Sequence, residues 1–309
     1  MRRIVLLGPQ RLKPTLIDAV LRLDVRGPFA AVTAGWQERE DEIDELSAHL
    51  DRRVVNLRLH ARGEDVFQRD PELFLAYGDY LDRTRKIQDL YRVRLGHEKA
   101  AIRELLASSA DADVLEPELE SAIGALRMLD LHHGQRLTGL REAFEAEWRP
   151  AERPVVAEHR AEISEVLARV AGLAIAGGHV QVLLDRLRLF DVAPLTTHLP
   201  VFAWSAGAMV VSERVVLFHD FPPQGAGNAE LLGDGLGLCR GVLPLPHAKR
   251  RLDLTDERRV SLLARRFAPL TALAMDEGSW AVWRERGGLD IHQGRVILAD
   301  GHLTEIVGA

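Results

Sequence analysis

The ten residues PVFAWSAGAM, at positions 200–209, decide how this chain is interpreted. The apolar run Val201–Trp204 predicts a buried strand, and the small residues after Ser205 predict a helix that begins at once. A serine between such a strand and helix takes a strained backbone conformation, and its hydroxyl projects from the edge of the sheet. Small residues two positions before and after it, Ala203 and Gly207, let the strand and helix backbones pass closely. The pattern Ala-x-Ser-x-Gly therefore predicts a strand–elbow–helix unit, with a plain turn and an idle serine as the alternative.

Strand and helix signals alternate along the first seventy residues. Short apolar runs predict strands at 3–7, 29–33 and 53–59, and amphipathic segments predict helices at 13–23 and 38–50. Strands that alternate with helices are typical of a parallel sheet, because each helix returns the chain to the same end of the sheet.

The alternation resumes after residue 150. The predicted strands are 171–176, 201–204, 214–218, 238–245 and 270–275. The segments 281–284, 294–299 and 302–306 predict antiparallel hairpins, since Asp300-Gly301 is a strong turn signal. We therefore predict an α/β fold with a mostly parallel, doubly wound sheet, helices on both faces and a C-terminal antiparallel hairpin.

Residues 71–150 have a different character. Apolar residues recur at helical spacing over 71–108 and 116–148, on either side of the polar tip 109–113. We predict a helical hairpin over 71–150, inserted into an α/β domain formed by 1–70 and 151–309. Its apolar stripes indicate a hairpin core or a subunit contact. His132 and His133 are adjacent, so they point to different sides of a helix and are interpreted as surface residues.

Composition excludes several classes of protein. The 309 residues are 47% apolar and 28% charged, and the net charge of -6 argues against binding to nucleic acid through phosphate contacts. No apolar run is long enough to span a membrane, and the short run after Met1 predicts a strand rather than a signal peptide. Cys239 is the only cysteine, so neither a disulfide nor a thiolate metal cluster is expected. We expect a cytoplasmic protein without metal or organic cofactor.

A nucleophilic serine needs a base and a third group that orients the base. His247 follows a predicted strand, as do Glu277 and Asp276, and the carboxyl ends of parallel strands meet at one edge of a sheet. Asp220 follows another strand and is the alternative acid. The alternative is that His247 is an ordinary histidine in a surface loop, without a catalytic role.

The oxyanion of an acyl-transfer reaction needs hydrogen-bond donors. The backbone amide of Ala206 is the natural first donor, and an amide in Gly177-Gly178-His179 is the expected second. The glycine pair is equally compatible with a simple tight turn. It lacks the third glycine and the spacing of a dinucleotide-binding loop.

Together these sequence motifs resemble those of the peptidase E and cyanophycinase family of serine peptidases, which have the class I glutamine amidotransferase-like fold. The matching segments are 171–178, 204–208, 235–238, 246–247 with 250–251, and 276–279. The resemblance covers 171–306 well and 3–59 loosely, and it does not account for the helical hairpin. It implies a triad of Ser205, His247 and Glu277, and the cleavage of short peptides with an acidic residue beside the scissile bond.

The chain also departs from the family pattern. His179 and Val180 follow the glycine pair in place of Asn or Asp and then Gln, and Ala248 replaces an aromatic residue. Arg250 and Arg251 stay as candidate clamps for a substrate carboxylate. The departures indicate a substrate pocket that differs from that of the family, whereas the predicted catalytic residues are retained.

The leading hypothesis is a serine peptidase that acts on short peptides or isopeptides. One alternative is an esterase of the α/β-hydrolase type, with Asp276 and either His292 or His302 as partners of the serine. Another is a catalytically silent module for binding or assembly. We expect a homodimer with the hairpin in its interface; a lid over the sheet edge that carries Ser205 is the rival role for the hairpin.

Overall fold

A computed structural model describes residues 2–51, 53–221 and 229–307. The strands are β1 Arg3–Leu7, β2 Phe29–Val32, β3 Val54–Asn56, β4 Gly172–Ile175, β5 Val201–Trp204, β6 Arg214–Leu217, β7 Glu230–Asp234, β8 Val242–Pro246, β9 Thr271–Met275, β10 Trp280–Arg284, β11 Gly288–Ile297 and β12 Leu303–Val307. The α-helices are α1 Leu16–Arg22, α2 Asp44–Leu50, α3 Leu59–Arg69, α4 Pro71–Leu106, α5 Ala112–Trp148, α6 Pro154–Leu167, α7 Val180–Leu189, α8 Val192–Leu195, α9 Ala206–Val211, α10 Ala248–Arg251 and α11 Glu257–Phe267. Among these described residues, no helix has both the length and the apolar character needed to cross a membrane.

One large sheet organises the molecule, in the order β3-β2-β4-β5-β1-β10-β11-β9-β8. The strands from β3 to β1 are mutually parallel, β10 and β11 are antiparallel to their neighbours, and β8 pairs with β9 in parallel. Strand β12 pairs with β11 as the predicted C-terminal hairpin. The predicted α/β class is confirmed.

Both faces of the parallel strands are buried. Along β1, Ile4 and Leu6 belong to one core cluster, whereas Val5 and Leu7 belong to a second. Helices α1 and α2 cover the second cluster, and α3, α6 and α7 contribute to the first. Successive side chains of a strand point to opposite faces of the sheet. Because both faces are buried here, apolar side chains occupy successive positions of these strands, and the strands appear in the sequence as continuous apolar runs.

Several elements differ from the sequence prediction: β7 was not predicted, the strand predicted at 238–245 begins at Val242, and three further differences concern β6, α2 and β3. Strand β6 does not join the large sheet; it pairs with β7 in a separate antiparallel ribbon. The preceding helix, α9, has six residues, which is too few for a crossover back to a parallel position. The predicted helix at 38–50 is divided into a 3₁₀ segment, Ala34–Arg39, and α2, with Gln37 at φ 58° between its turns. The strand predicted to end at residue 59 ends at Asn56, and α3 follows it.

The two long helices lie where the hydrophobic spacing predicts them. Asp70 caps α4 by accepting a hydrogen bond from the Leu73 amide at 3.1 Å, and Pro71 starts the helix. Leu73 and Leu126 belong to the same core cluster as the sheet residues, so the helices pack against the α/β body. The division of the chain into a body and an inserted hairpin stays a prediction.

A buried polar network fastens these helices to α11. The Arg266 guanidinium binds both carboxylate oxygens of Asp130 at 2.7 Å and the Tyr91 hydroxyl at 2.7 Å. The prediction that His133 is a surface residue is wrong: its ring is buried, stacks on Tyr91 at 4.0 Å and lies 2.9 Å from the Gln88 side-chain oxygen. The face of α5 that carries His133 packs between α4 and β7, whereas His132 is exposed.

Several apolar side chains of α4 and α5 remain exposed in the single chain, among them Phe74, Leu75, Leu90, Val93 and Met128. The predicted homodimer through this surface stays a prediction. The described residues that line the cavity at Ser205 include none from α4 or α5, so the lid role gains no support.

Candidate active site

Ser205 forms the elbow between β5 and α9. Its backbone lies at φ 51° and ψ -123°, a conformation that costs a non-glycine residue on the order of 1–3 kcal/mol. The close approach of the neighbouring backbones is visible at Gly207, where a Cβ would lie 2.3 Å from the carbonyl oxygen of Ile175. A Cβ on Gly177 would lie 2.7 Å from the Cβ of Ser205. Small residues are therefore required around the serine, as the sequence pattern predicts.

His247 is the imidazole that contacts the serine. Its Nε2 lies 3.0 Å from the Ser205 Oγ, which is hydrogen-bonding distance for a nucleophile and its base. The residue follows β8 directly and has left-handed backbone angles, φ 58° and ψ 37°. Its amide donates to the Met275 carbonyl at 2.7 Å, which fixes the turn against the end of β9.

The contact between Ser205 and His247 depends on the shape of the sheet. Strand β8 is five positions from β5 in the sheet order, a separation of about 24 Å in a flat sheet. Helix α9 packs against both β5 and β8. Three antiparallel pairings lie between β5 and β8, so the two strands also run in opposite directions along the sheet. The sheet must therefore both curl and twist for the carboxyl ends of β5 and β8 to meet beside α9.

Two backbone amides are available near the Ser205 hydroxyl. Ala206 opens α9, so its amide has no partner within the helix. Gly178, at φ 108°, donates its amide to no described residue. The proposal of His179 as a donor is wrong, because its amide donates to the Gly35 carbonyl at 2.7 Å. The His179 ring instead caps α7 by accepting from the Val182 amide at 3.3 Å.

Two of the candidate acids are committed elsewhere. Asp276 accepts from the Lys249 amide at 2.9 Å and from the Arg295 guanidinium at 2.6 Å, so it holds the turn after His247 in place. Asp220, the alternative acid, accepts from Arg259 at 2.5 Å and from the Asp253 amide at 2.9 Å.

Glu277 is exposed and makes no hydrogen bond with any of the described residues. Its charge nevertheless acts on His247. Burial lowers the pKa of His247 and the Arg251 charge acts in the same direction, whereas the Glu277 carboxylate raises it. The structure thus brings Ser205 and His247 together, whereas the Glu277 carboxylate makes no hydrogen bond with the His247 ring.

Ser205 and His247 line a cavity of about 620 Å³. Arg251 also lines it, with its guanidinium 5.9 Å from the centre of the Phe218 ring and no described carboxylate in ion-pair contact. Burial lowers the pKa of Arg251. Arg250 is exposed and does not line the cavity.

The opposite wall of this cavity was not predicted from the sequence. It includes Leu16, Trp36, Leu46 and His49, which belong to α1, α2 and the 3₁₀ segment. These elements follow the carboxyl ends of β1 and β2 along the chain, and that position at a sheet edge is the signal that could have indicated them.

The histidines of the esterase alternative contact other groups. The His292 ring stacks on Trp280 at 4.0 Å and lies 3.4 Å from the Asp290 carboxylate. The largely exposed His302 ring lies 3.4 Å from Asp300. The esterase alternative therefore gains no support from the described structure.

Comparison with known proteins finds no matching family model and no matching curated protein. Among solved structures, one similar chain is a protein from Listeria monocytogenes EGD-e that is provisionally assigned as a peptidase E. It is 11% identical, with 94% of this chain and 98% of that chain covered and a TM-score of 0.43. At this level of similarity, function has to be argued from the geometry around Ser205.

Proposed function

We propose that this chain is a serine hydrolase that cleaves amide bonds in short peptides. The observation that carries the proposal is the 3.0 Å contact between the Ser205 Oγ and the His247 Nε2, made by a serine on a strained elbow. A strained backbone at a serine whose hydroxyl contacts an imidazole is typical of an activated nucleophile.

The chemistry follows from these positions. The Ser205 Oγ attacks the scissile carbonyl carbon while His247 Nε2 accepts the hydroxyl proton. The amides of Ala206 and Gly178 donate to the developing oxyanion. His247 then gives the proton to the leaving amine, and an acyl-serine remains. Water, activated by the same imidazole, hydrolyses this ester and frees Ser205.

We assign the orienting carboxylate to Glu277, as the family resemblance implies. Its charge already raises the pKa of His247, against the larger effect of burial. Asp276 is the positioning residue for the turn, through its bond to the Lys249 amide.

The cavity indicates the class of substrate. Its wall combines apolar side chains, among them the indole rings of Trp36 and Trp204, with charged ones that include Glu42 and Glu45, and its volume of about 620 Å³ suits a short peptide. Arg251 has no described carboxylate partner, so it is placed to bind a substrate carboxylate near the scissile bond. Arg250 lies outside the cavity and has no part in this assignment.

Labelling with a fluorophosphonate tests the proposal without knowledge of the substrate. We expect intact-mass spectrometry to show one phosphonyl group per folded chain, located on Ser205. Ser205→Ala should abolish the label, and Ser109→Ala, a change at the exposed tip between α4 and α5, should leave it unchanged. A well-folded protein that takes no label would overturn the proposal and favour the silent binding module.

A further inference from the structure

A second cavity of about 540 Å³ lies between the long helices and α7. Among the described residues, none lines both this cavity and the cavity at Ser205. Three aromatic rings form one wall: Tyr80 stacks on Phe144 at 4.9 Å, and Tyr77 lies 5.8 Å from each of them. This wall suits an apolar group of a ligand.

Helix α7 places two charged side chains in the same cavity. Asp185 and Arg188 are three residues apart, so they lie on one face of the helix. Asp185 is 6% exposed, and one of its oxygens accepts from the Gln181 amide at 2.8 Å. Its other oxygen accepts no hydrogen bond from a described residue, and no described cation is in ion-pair contact with it.

Arg188 likewise lacks an ion pair with any described residue. Its guanidinium donates to the Asp234 carbonyl at 2.6 Å, and no described carboxylate is in ion-pair contact with it. Burial raises the pKa of Asp185 to about 6 and lowers the pKa of Arg188. The two charges attract each other along the helix, and Arg186 also acts on Asp185, but neither Asp185 nor Arg188 is in ion-pair contact with a described residue. A buried charge without a direct partner is unfavourable, so each group would gain from contact with an opposite charge on a ligand.

The charged side chains at the rim of the cavity, in contrast, have ion-pair partners. They form ion pairs with neighbouring side chains: Arg141 with Glu145, Arg149 with Glu152, and Asp191 with Arg160. Among the described residues that line the cavity, the charged groups without an ion-pair contact are therefore Asp185 and Arg188. One acid and one base, side by side against an aromatic wall, match a ligand that carries both charges on a small apolar frame.

We propose that this cavity binds the zwitterion of an α-amino acid with an apolar side chain. The ammonium group of the amino acid meets Asp185, its carboxylate meets Arg188, and its side chain packs against Tyr77, Tyr80 and Phe144. Side chains one helical turn apart have Cβ atoms about 5–6 Å apart, a spacing that suits the two adjacent charges of an amino acid. The proposal does not depend on any chemistry at Ser205.

Isothermal titration of the full chain with L-phenylalanine tests the charge pairing. Phenethylamine lacks the carboxylate and 3-phenylpropionate lacks the ammonium, so each loses one charge-assisted contact. We expect each analogue to bind at least about tenfold more weakly than L-phenylalanine. The absence of any L-phenylalanine binding, or equal binding of all three compounds, would overturn the proposal.

Substitutions locate the site. Asp185→Asn and Arg188→Gln should each weaken L-phenylalanine binding at least about tenfold, whereas Arg149→Gln at the rim should leave it unchanged. Asp185→Asn keeps the shape of the side chain and the acceptor for Gln181, so it decides the question even if Arg188→Gln does not fold. Ser205→Ala should bind L-phenylalanine normally, whatever the outcome of the labelling experiment. Binding that is lost in Ser205→Ala and retained in Asp185→Asn would place the amino acid in the other cavity and refute the inference.

Discussion

The cavity at Ser205 and the cavity beneath α4 and α5 are linked by α7 and built in different ways. Val180, in the first turn of α7, lines the first cavity, and Asp185 and Arg188 line the second. The first depends on the local backbone: a strained elbow, close glycines and helix-opening amides. The second depends on the packing of long helices against a distant part of the chain. Local backbone geometry positions the Ser205 hydroxyl, whereas tertiary packing buries charged side chains that have no ion-pair contact with a described residue.

The largest effect is expected at the Ser205 cavity. His247→Ala removes the base, so we expect kcat for the best peptide of a dipeptide library to fall by roughly 10⁴–10⁶. Ser205→Ala should cost about as much, and the double variant no more than either, because the two groups act as a unit. Steady-state kinetics checks this.

The double variant and a control variant decide the interpretation. Losses that multiply in the double variant would contradict a shared role. His302→Ala, a change at an exposed histidine, is the matched control and should retain normal kcat.

Sequence reasoning succeeds at the elbow because the constraint is local. A short apolar run, a serine and small residues at fixed offsets are all that the strained turn requires, and Gly207 and Gly177 lie against neighbouring atoms accordingly. It also places His247 at a strand end. It does not show that β8 is five strand positions from β5, because strand order and sheet curvature depend on contacts between residues far apart in the chain.

Sequence reasoning fails at the second cavity for the same reason. Asp185 and Arg188 resemble the polar positions of an ordinary amphipathic helix until α4 and α5 cover them. His133 resembles a solvent-facing residue until Tyr91 and Gln88 are seen against it. Periodicity predicts that these helices exist, but it does not predict which of their polar residues become buried.

The next largest effect is expected where α5 is fastened to α11. Arg266→Ala leaves the buried Asp130 carboxylate without its bidentate partner, and breaking a buried ion pair costs about 3–5 kcal/mol. We expect urea unfolding to show a loss of that order in the free energy of unfolding. Arg169→Ala, which removes an exposed pair with Glu165, should change it by less than about 1 kcal/mol. Equal effects would show that the buried network does not hold the helices.

Asp185→Asn should stabilise the unliganded protein at neutral pH. Burial raises the pKa of Asp185 from 3.8 to about 6 in the folded state. Below about pH 4 the carboxyl is protonated in both states. Between pH 4 and 6 the unfolded chain releases this proton while the folded chain retains it, so the free energy of unfolding falls with pH. Above pH 6 the loss is complete and amounts to roughly 3 kcal/mol.

Asparagine cannot ionise, so Asp185→Asn should escape this loss. We expect urea unfolding to give nearly equal stability for the variant and the wild type at pH 4, and greater stability for the variant at pH 8. Asp79→Asn, at an exposed position of α4, is the control and should show no such divergence. A variant that is less stable than the wild type at pH 8 would mean that Asp185 has a structural partner, and it would remove the basis for an empty ligand site.

The smallest effect is expected from Glu277 and concerns the pH profile. The acid limb of kcat/KM reports the pKa of the free base, which burial lowers for His247 and Glu277 raises. Glu277→Gln removes the raising charge, so the limb should move to lower pH, by less than about one pH unit. Arg251→Gln removes a lowering charge and should move it to higher pH. Glu45→Gln, at the wall of the same cavity, should leave it in place. If Glu277→Gln leaves the acid limb unchanged while Asp276→Asn moves it, the carboxylate that acts on His247 is Asp276. Because Asp276 is held by Lys249 and Arg295, the Ser205 site would then depend on tertiary packing, as the second cavity does.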